Sequence, residues 1–365
     1  HQLGETPRVY GQQEAYTRFF ADLDEGQQLI REYLDEGGDN NKFKEYDMLT
    51  NGKTLKEWLK FANSLRLRLA MRISNVDATL AKDQATKALN DNQGVLEGAR
   101  ETIAVMGKNY INPLCAVAGW GEVYMNASME SIVNGYEDPR GKKWYNTALL
   151  EGYQKQLLGI PIGLPMKDGD ANIYSFCSSL NTSTIGEKTG AVLMSAAEVW
   201  LLRAEAALRG YTKENPRTCY EYGVSTSFTQ WDCAGASEYL ESDKTPADYK
   251  DVVSGGKVGK DMKALITISP KWEEDADIET KLEKIITQKW LACWPESYEA
   301  WAEQRRTGYP KLIPTNYSGS MSPGVIPTRL PYPTDEYSIN RANVDTANQQ
   351  QGADKVTTHI WWDID

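Results

Sequence analysis

The chain has 365 residues, 51 acidic and 40 basic, with a formal net charge of −11. That balance disfavours a nucleic-acid ligand, because binding a phosphate backbone calls for a clustered basic surface. The sequence contains no run of 18 apolar residues, so no segment is expected to span a bilayer as a helix. It starts at His1 without a charged-then-apolar leader, which predicts an internal or processed fragment with any upstream signal outside it.

Helical periodicity marks the first 90 residues. Apolar side chains recur at helical spacing over 12–34 and again over 55–74, with Gly37-Gly38 between them. Asp77 is suited to cap a third helix that runs to about Leu89. Two helices of about 15 residues joined by a short turn are typical of a helical-hairpin repeat unit.

The middle of the chain has a different composition. Residues 91–190 are rich in Gly, Asn, Pro, Ser and Tyr, and only residues 122–133 predict a helix there. A loop region of this length in a compact chain is usually functional or braces other elements. Helices are then predicted over 195–209, 218–230, 248–253 and 281–293. From Pro314 onwards, five prolines and little periodicity predict surface coil.

The segment 286–312 (ITQKWLACWPESYEAWAEQRRTGYPKL) predicts a helix, a second helix and a turn. Pro295 suits the first turn of that second helix, and Gly308 suits its end. On this helix Trp301 and Arg305 share a face, and Glu303 and Arg306 are spaced to pair. These features indicate a structural corner rather than a reactive site.

Catalytic patterns are weak. The only histidines are His1 and His359, which disfavours a nucleophile–histidine relay and histidine-ligated metals. The glycine-rich segment 255–260 has the wrong glycine spacing for a phosphate loop, and Asp261 stands where that loop needs Ser or Thr. Paired carboxylates for glycoside hydrolysis cannot be chosen among 51 acids from sequence. The sequence therefore predicts no enzyme.

Two questions about ions and thiols stay open at this point. Asp168, Asp170 and Asn172 have the spacing of the first calcium-loop ligands, but the turn glycine and the bidentate glutamate are missing, so calcium is an alternative to a solvated turn. The five cysteines have no CxxC spacing, which argues against zinc. Cys219 and Cys233 could form one disulfide in an oxidising compartment.

Six phrases, in order along the chain, resemble the SusD/RagB family of outer-membrane nutrient-binding lipoproteins of Bacteroidetes. They are 58–76 (WLKFANSLRLRLAMRISNV), 128–140 (SMESIVNGYEDPR), 195–210 (SAAEVWLLRAEAALRG), 220–231 (YEYGVSTSFTQW), the segment 286–312, and 329–340 (RLPYPTDEYSIN). The resemblance implies a mainly α fold of tetratricopeptide-like helix pairs with a long loop-rich region. Most such proteins are longer, so it also implies that an N-terminal part is absent.

The resemblance implies the following organisation and role. Residues 1–365 form a single SusD-like domain with helical hairpins at about 10–90 and 193–305, a loop-rich region at about 91–192 and a coil-rich tail at 306–365. The protein sits on the cell-surface side of the outer membrane through a lipid anchor upstream of this chain. It holds oligosaccharides, without chemistry or cofactor, for a SusC-like TonB-dependent transporter.

Candidate ligand residues follow from the physics of sugar binding rather than from the family phrases, which are mainly scaffold. A pyranose ring packs its C–H face on an aromatic ring, and its hydroxyls need polar side chains. Solvent-facing aromatic residues on polar loops are therefore the candidates to bind the glycan: Trp120, Trp144, Tyr145 and Tyr174, with Asn172 and Lys143 as polar neighbours. For each of them, core packing or loop bracing is the alternative to ligand binding. Peptide or glycoconjugate capture by the same fold, a protein-binding helical scaffold and a helical glycoside hydrolase remain alternatives.

Overall fold

The described part of the computed structural model covers residues 10–50, 52–107, 109–164, 172–315 and 319–364, and it is mainly α-helical. The helices are α1 (Gln12–Asp35), α2 (Leu55–Arg72), α3 (Ala78–Leu89), α4 (Pro113–Ala118), α5 (Ala127–Gly135), α6 (Gly141–Trp144), α7 (Ala196–Leu208), α8 (Pro216–Gln230), α9 (Ala236–Leu240), α10 (Ile278–Ala292), α11 (Ser297–Thr307), α12 (Thr334–Ile339) and α13 (Arg341–Gln351). Short 3₁₀ helices span Lys42–Glu45 and Ala99–Glu101. None of the described helices is long and apolar enough to cross a membrane.

Paired helices form the body of the fold. Helix α2 packs against α1, α3 and α7, while α7 also packs against α8 and α10, and α10 packs against α11. Local capping sets where the first pair begins: Thr54 and Glu57 form a capping box at the start of α2, and the Asp77 side chain accepts a hydrogen bond from Leu80 N at 3.0 Å. The mainly α prediction and the cap at Asp77 are therefore confirmed.

The loop-rich region leaves the helical body and returns to it through two short strands. Strand β1 (Ile103–Val105) pairs antiparallel with β2 (Ala191–Met194), and Ile103 lies opposite Met194. The described residues between 106 and 190 therefore form an excursion that is closed at its base. Isolated bridges such as Tyr124–Ser179 and Tyr145–Leu180 hold the excursion together in place of extended sheet.

The helix prediction for this region was incomplete. The described residues of this region contain three short helices, α4, α5 and α6, where one was predicted, and α5 begins at Ala127 rather than near Glu122. The later start has a local cause, because the Asn126 side chain accepts a hydrogen bond from Met129 N at 2.8 Å and caps the helix there. The missed helices α4 and α6 have six and four residues, which leaves too few turns for periodicity to reveal them.

Three further expectations were wrong. Residues 248–253 form no helix, because the Asp251 side chain accepts hydrogen bonds from Ser254 N and Gly259 N and stabilises a turn instead. Pro295 lies before α11, whose cap is the Glu296 side chain, rather than in the first helical turn. The C-terminal tail contains α12 and α13 in addition to coil.

The structural corner predicted at 286–312 is confirmed. Gly308 ends α11 with φ +71°, a left-handed conformation that glycine adopts without steric cost. The Arg305 guanidinium lies 3.8 Å from the centroid of the Trp301 ring, and Arg306 pairs with Glu303. The Trp301 Nε1 donates to Pro327 O at 2.8 Å, so the corner also fixes the path of the C-terminal segment.

Candidate functional site

Trp120 is the one predicted aromatic residue that faces solvent, with 71% of its surface exposed. It follows α4, a short helix capped by Asn112, whose side chain accepts a hydrogen bond from Leu114 N at 2.9 Å. The Asn112 Nδ2 also donates to Thr189 O at 2.9 Å, which ties the start of α4 to the far end of the loop-rich excursion. The indole of Trp120 is therefore exposed on a braced segment.

Trp144, Tyr145 and Tyr174 do not meet the condition on which they were chosen. Their exposed fractions are 0%, 8% and 0%, so the expectation that they face solvent was wrong. Trp144 and Tyr145 belong to the main hydrophobic core, and Tyr174 belongs to a smaller core within the excursion. Polar flanking residues misled the prediction, because contacts with distant parts of the chain cover these rings.

Two tryptophans that sequence reasoning did not select pack on Trp144. Trp294 stacks on it with ring centroids 5.1 Å apart, and Trp231 meets it edge-on at 6.0 Å. Trp231 and Trp294 are 5.2 Å apart and only half-buried. We call Trp144, Trp231, Trp294 and Tyr145 the tryptophan cluster. Trp231 and Trp294 each lie just after the end of a helix, α8 and α10 respectively. That position in the sequence was a weak indication that their rings are partly exposed.

Only some of the polar atoms in the tryptophan cluster have a hydrogen-bond partner among the described residues. The Trp294 Nε1 donates to the Tyr145 hydroxyl at 3.1 Å, and burial raises the pKa of Tyr145 to about 12. The Nε1 atoms of Trp144 and Trp231 are buried and have no hydrogen-bond partner among the described residues. A buried donor without an acceptor costs free energy, so an ordered water is the expected partner of these two N–H groups.

Arg140 forms a rigid base beneath the cluster. It is fully buried, its guanidinium donates to Asp138, Ser227 and Gln288, and its Cζ lies 5.6 Å from the Trp144 ring centroid. A paired and hydrogen-bonded buried arginine resists displacement, because breaking it exposes uncompensated charge. The tryptophan cluster is consequently held in place from the core side.

The predicted polar neighbours lie in two different places. Lys143 is half-buried beside the cluster and forms an ion pair with the exposed Asp232 at 3.4 Å. Asn172 is exposed, but it lies in the other part of the excursion, where its Oδ1 accepts from Tyr174 N at 3.0 Å. The structure therefore groups Lys143 with Trp144 and Tyr145, and it groups Asn172 with Tyr174. Asp168 and Asp170, from the calcium alternative, lie outside the described residues.

Two buried carboxyls, Glu130 in the excursion and Asp251 in contact with it, have structural partners. Burial raises the pKa of Glu130 to about 8, and its Oε2 accepts from Gly159 N at 2.5 Å. The Asp251 Oδ2 accepts from the Tyr174 hydroxyl at 3.0 Å and from Gly259 N at 2.9 Å. These bonds explain both acids as braces of the loop. Within the described residues, no group of three or more His, Cys, Asp or Glu is placed to hold a metal ion.

The cysteines form no disulfide, and burial keeps two of the thiols protonated. All five cysteines are free, so the Cys219–Cys233 disulfide considered from sequence is not present. Burial raises the pKa of Cys177 to about 12 and that of Cys219 to about 11, which keeps both thiols protonated and weakly nucleophilic near neutral pH.

Paired helices with a braced, loop-rich half that presents aromatic side chains define a helical binding scaffold. Comparison with known families agrees with this class. The model of the SusD-like family, described as Susd and RagB outer membrane lipoprotein, matches residues 2–363. The chain belongs to the SusD-like family, as the six phrases in its sequence indicated.

Solved structures of the same family are similar over nearly the entire chain. A SusD homologue from Bacteroides vulgatus is 49% identical with a TM-score of 0.94, covering 99% of this chain and 73% of that one. A chitin-binding SusD homologue from Flavobacterium johnsoniae is 33% identical with a TM-score of 0.90, and a SusD-like protein from Bacteroides thetaiotaomicron is 32% identical with a TM-score of 0.88. Both comparisons cover 100% of this chain and 76% of the other. No curated protein sequence gives a significant match.

Proposed function

We propose that this protein binds oligosaccharides at the cell surface, leaves them chemically unchanged and delivers them to a SusC-like TonB-dependent transporter in the outer membrane. The observation that carries the proposal is the family match over residues 2–363, whose description is that of an outer membrane lipoprotein. The chitin-binding homologue, similar over 100% of this chain, supports a saccharide ligand. Attachment to the membrane is proposed to use a lipid anchor upstream of this chain.

Trp120 is the proposed centre of the saccharide surface. Its exposed indole offers an apolar face of the kind on which a sugar ring packs, and the braced loop limits the entropy lost on binding. Three apolar residues near Trp120 in the sequence pack against the core that contains Trp144 and Tyr145: Leu114, Ala118 and Val123.

The tryptophan cluster adds aromatic surface to this part of the molecule. Its residues Trp231 and Trp294 are only half-buried, so part of each ring is accessible to solvent. Lys143 and Asp232 provide polar groups beside these rings.

Replacing Trp120 with alanine is expected to weaken saccharide binding about tenfold, which corresponds to about 1.4 kcal/mol of binding free energy. The physical reason is the loss of the ring face, and the exposed position predicts no change in folding. Isothermal titration with the members of an oligosaccharide panel that bind the unaltered protein measures the effect.

Tyr298→Ala is the matched control, because Tyr298 is 74% exposed but belongs to α11 rather than to the loop-rich excursion. It is expected to bind the same saccharides with unchanged affinity. Equal affinity of Trp120→Ala and the unaltered protein would remove Trp120 from the site. A comparable loss in Tyr298→Ala would show that the effect is not local to the excursion.

A further inference from the structure

A separate cleft lies on the helical side of the molecule, between the C-terminal end of α3 and the turn that follows α7. Its volume is about 750 Å³, within the range of ligand sites in proteins. Leu89 and Tyr211 supply apolar surface, and Thr86 and Asn90 supply polar groups from α3 and its cap. The Thr86 hydroxyl donates to Tyr211 O at 3.3 Å, which joins the two walls.

The carboxylates that line this cleft are already paired. Arg203 donates to Glu97 Oε1 at 2.7 Å and makes several hydrogen bonds with Glu214. The same guanidinium lies 3.7 Å from the centroid of the Trp200 ring, which fixes its orientation. One arginine therefore offsets much of the negative charge in the wall and holds both acids in place.

Other polar groups of the cleft have no such partner. The Thr212 Oγ1 is buried and has no hydrogen-bond partner among the described residues. Lys82 and Lys213 are exposed at the cleft and form no salt bridge with any residue in the described ranges. A cleft with paired carboxylates and unpaired ammonium groups has the charge pattern that suits an anionic ligand.

We propose that this cleft is a second binding site, specific for an acidic saccharide, that is, a sugar bearing a carboxylate or a sulfate. The saccharide part of the inference rests on the proposed function, whereas the acidic part rests on the cleft alone. The two lysines would pair with the anionic group, the Thr212 hydroxyl and Asn90 would bond sugar hydroxyls, and Leu89 and Tyr211 would contact the C–H face. A net charge of −11 disfavours unspecific anion binding, so affinity for an anion at this place requires a local site.

The double variant Lys82→Gln/Lys213→Gln tests the site without touching the core. The probes are trigalacturonate and a sulfated heparin-type tetrasaccharide, with neutral galactotriose and inorganic phosphate as comparisons. Titration calorimetry is expected to show that at least one acidic probe binds, that neither comparison compound competes, and that the double variant weakens binding at least tenfold. Raising the salt concentration is expected to weaken it as well, because salt screens exposed charges.

Lys56→Gln/Lys188→Gln is the matched control, since both lysines are exposed, outside the cleft and without a salt bridge in the described part of the chain. It is expected to bind the acidic probe as the unaltered protein does. Absence of acidic-probe binding, displacement of the acidic probe by galactotriose or phosphate, or equal losses in the two double variants would overturn the proposal. Trp120→Ala is expected to retain acidic-probe binding at the cleft. The proposal for the cleft and the proposal for the Trp120 surface are therefore tested independently.

Discussion

Replacing Arg306 with methionine is expected to lower the free energy of unfolding by about 3–5 kcal/mol, as for other buried ion pairs that lose one partner. Arg306 is 2% exposed and donates two hydrogen bonds to Glu205, at 2.7 and 2.6 Å, and two to Glu303, at 3.1 and 2.5 Å. Its Nη1 also lies 3.1 Å from Ser74 Oγ, so one side chain joins α7, α11 and the end of α2. Methionine fills similar volume but leaves two buried carboxylates without their main partner.

The charge network around Arg306 also predicts the pH dependence. Burial alone would raise the pKa of Glu299, but Arg72, Lys289 and Arg68 outweigh it and hold that pKa at about 2. For Glu303 and Glu205 burial is likewise outweighed, chiefly by Arg306, and both pKa values lie below the ordinary 4.5. Groups with depressed pKa values stabilise the fold above about pH 4.5 and lose that contribution as the pH falls towards 2. Because Arg306 is the chief cause of the depressed pKa values of Glu303 and Glu205, we expect the stability difference between Arg306→Met and the unaltered protein to be full above about pH 4.5 and to shrink as the pH falls.

Chemical denaturation followed by circular dichroism measures both effects. The control is Arg341→Met, because Arg341 is exposed and pairs with Asp345 four residues along the same helix. Such surface pairs contribute about 0–1 kcal/mol, so the control is expected to unfold close to the unaltered protein. A loss below about 1 kcal/mol in Arg306→Met would contradict the role assigned to the network.

Replacing Trp144 with alanine is expected to cost about 3–5 kcal/mol of unfolding free energy, as large-to-small changes of buried aromatic residues do. Trp144 has no exposed surface, stacks on Trp294 and lies over Arg140. Alanine leaves a cavity between these groups that the rigid arginine base prevents from collapsing. Circular dichroism is the suitable measurement, because removing a tryptophan changes the fluorescence signal itself.

Trp120→Ala is the matched control for this prediction, since it removes the same side chain from an exposed position. It is expected to change the free energy of unfolding by no more than about 0.5 kcal/mol. The opposite pattern, in which Trp144→Ala folds normally but loses saccharide affinity, would restore Trp144 as a ligand residue. That result would contradict its assignment to the core.

Local signals in the sequence were sufficient for much of the fold. The side chain of Asp77 caps α3, Gly308 ends α11, and Glu303 pairs with Arg306, because each feature depends on residues within four positions. The family phrases then connected these local features to one scaffold. The helices α12 and α13 were missed because prolines and polar residues in the tail obscure their short periodicity.

The candidate site depends on contacts that no local pattern contains. Trp144 and Trp294 stack although 150 positions separate them, and this contact decides that Trp144 is buried. Trp120 differs because its loop is closed by the bond from Asn112 to Thr189, and 71% of its surface is exposed with no ring of the described residues stacked on it. The sequence could identify aromatic residues on polar loops. Only the structure shows which of the four predicted rings are buried in a core and that Trp120 is the one of them that faces solvent.

Calorimetric titration of the protein with an oligosaccharide panel, combined with chromatography of the saccharides afterwards, tests the central claim most directly. Peptides titrated in parallel separate saccharide capture from peptide capture. We predict saturable binding of at least one oligosaccharide and its complete recovery at the original length. Recovery of shortened saccharides, or binding of peptides with no binding of any saccharide, would contradict the account.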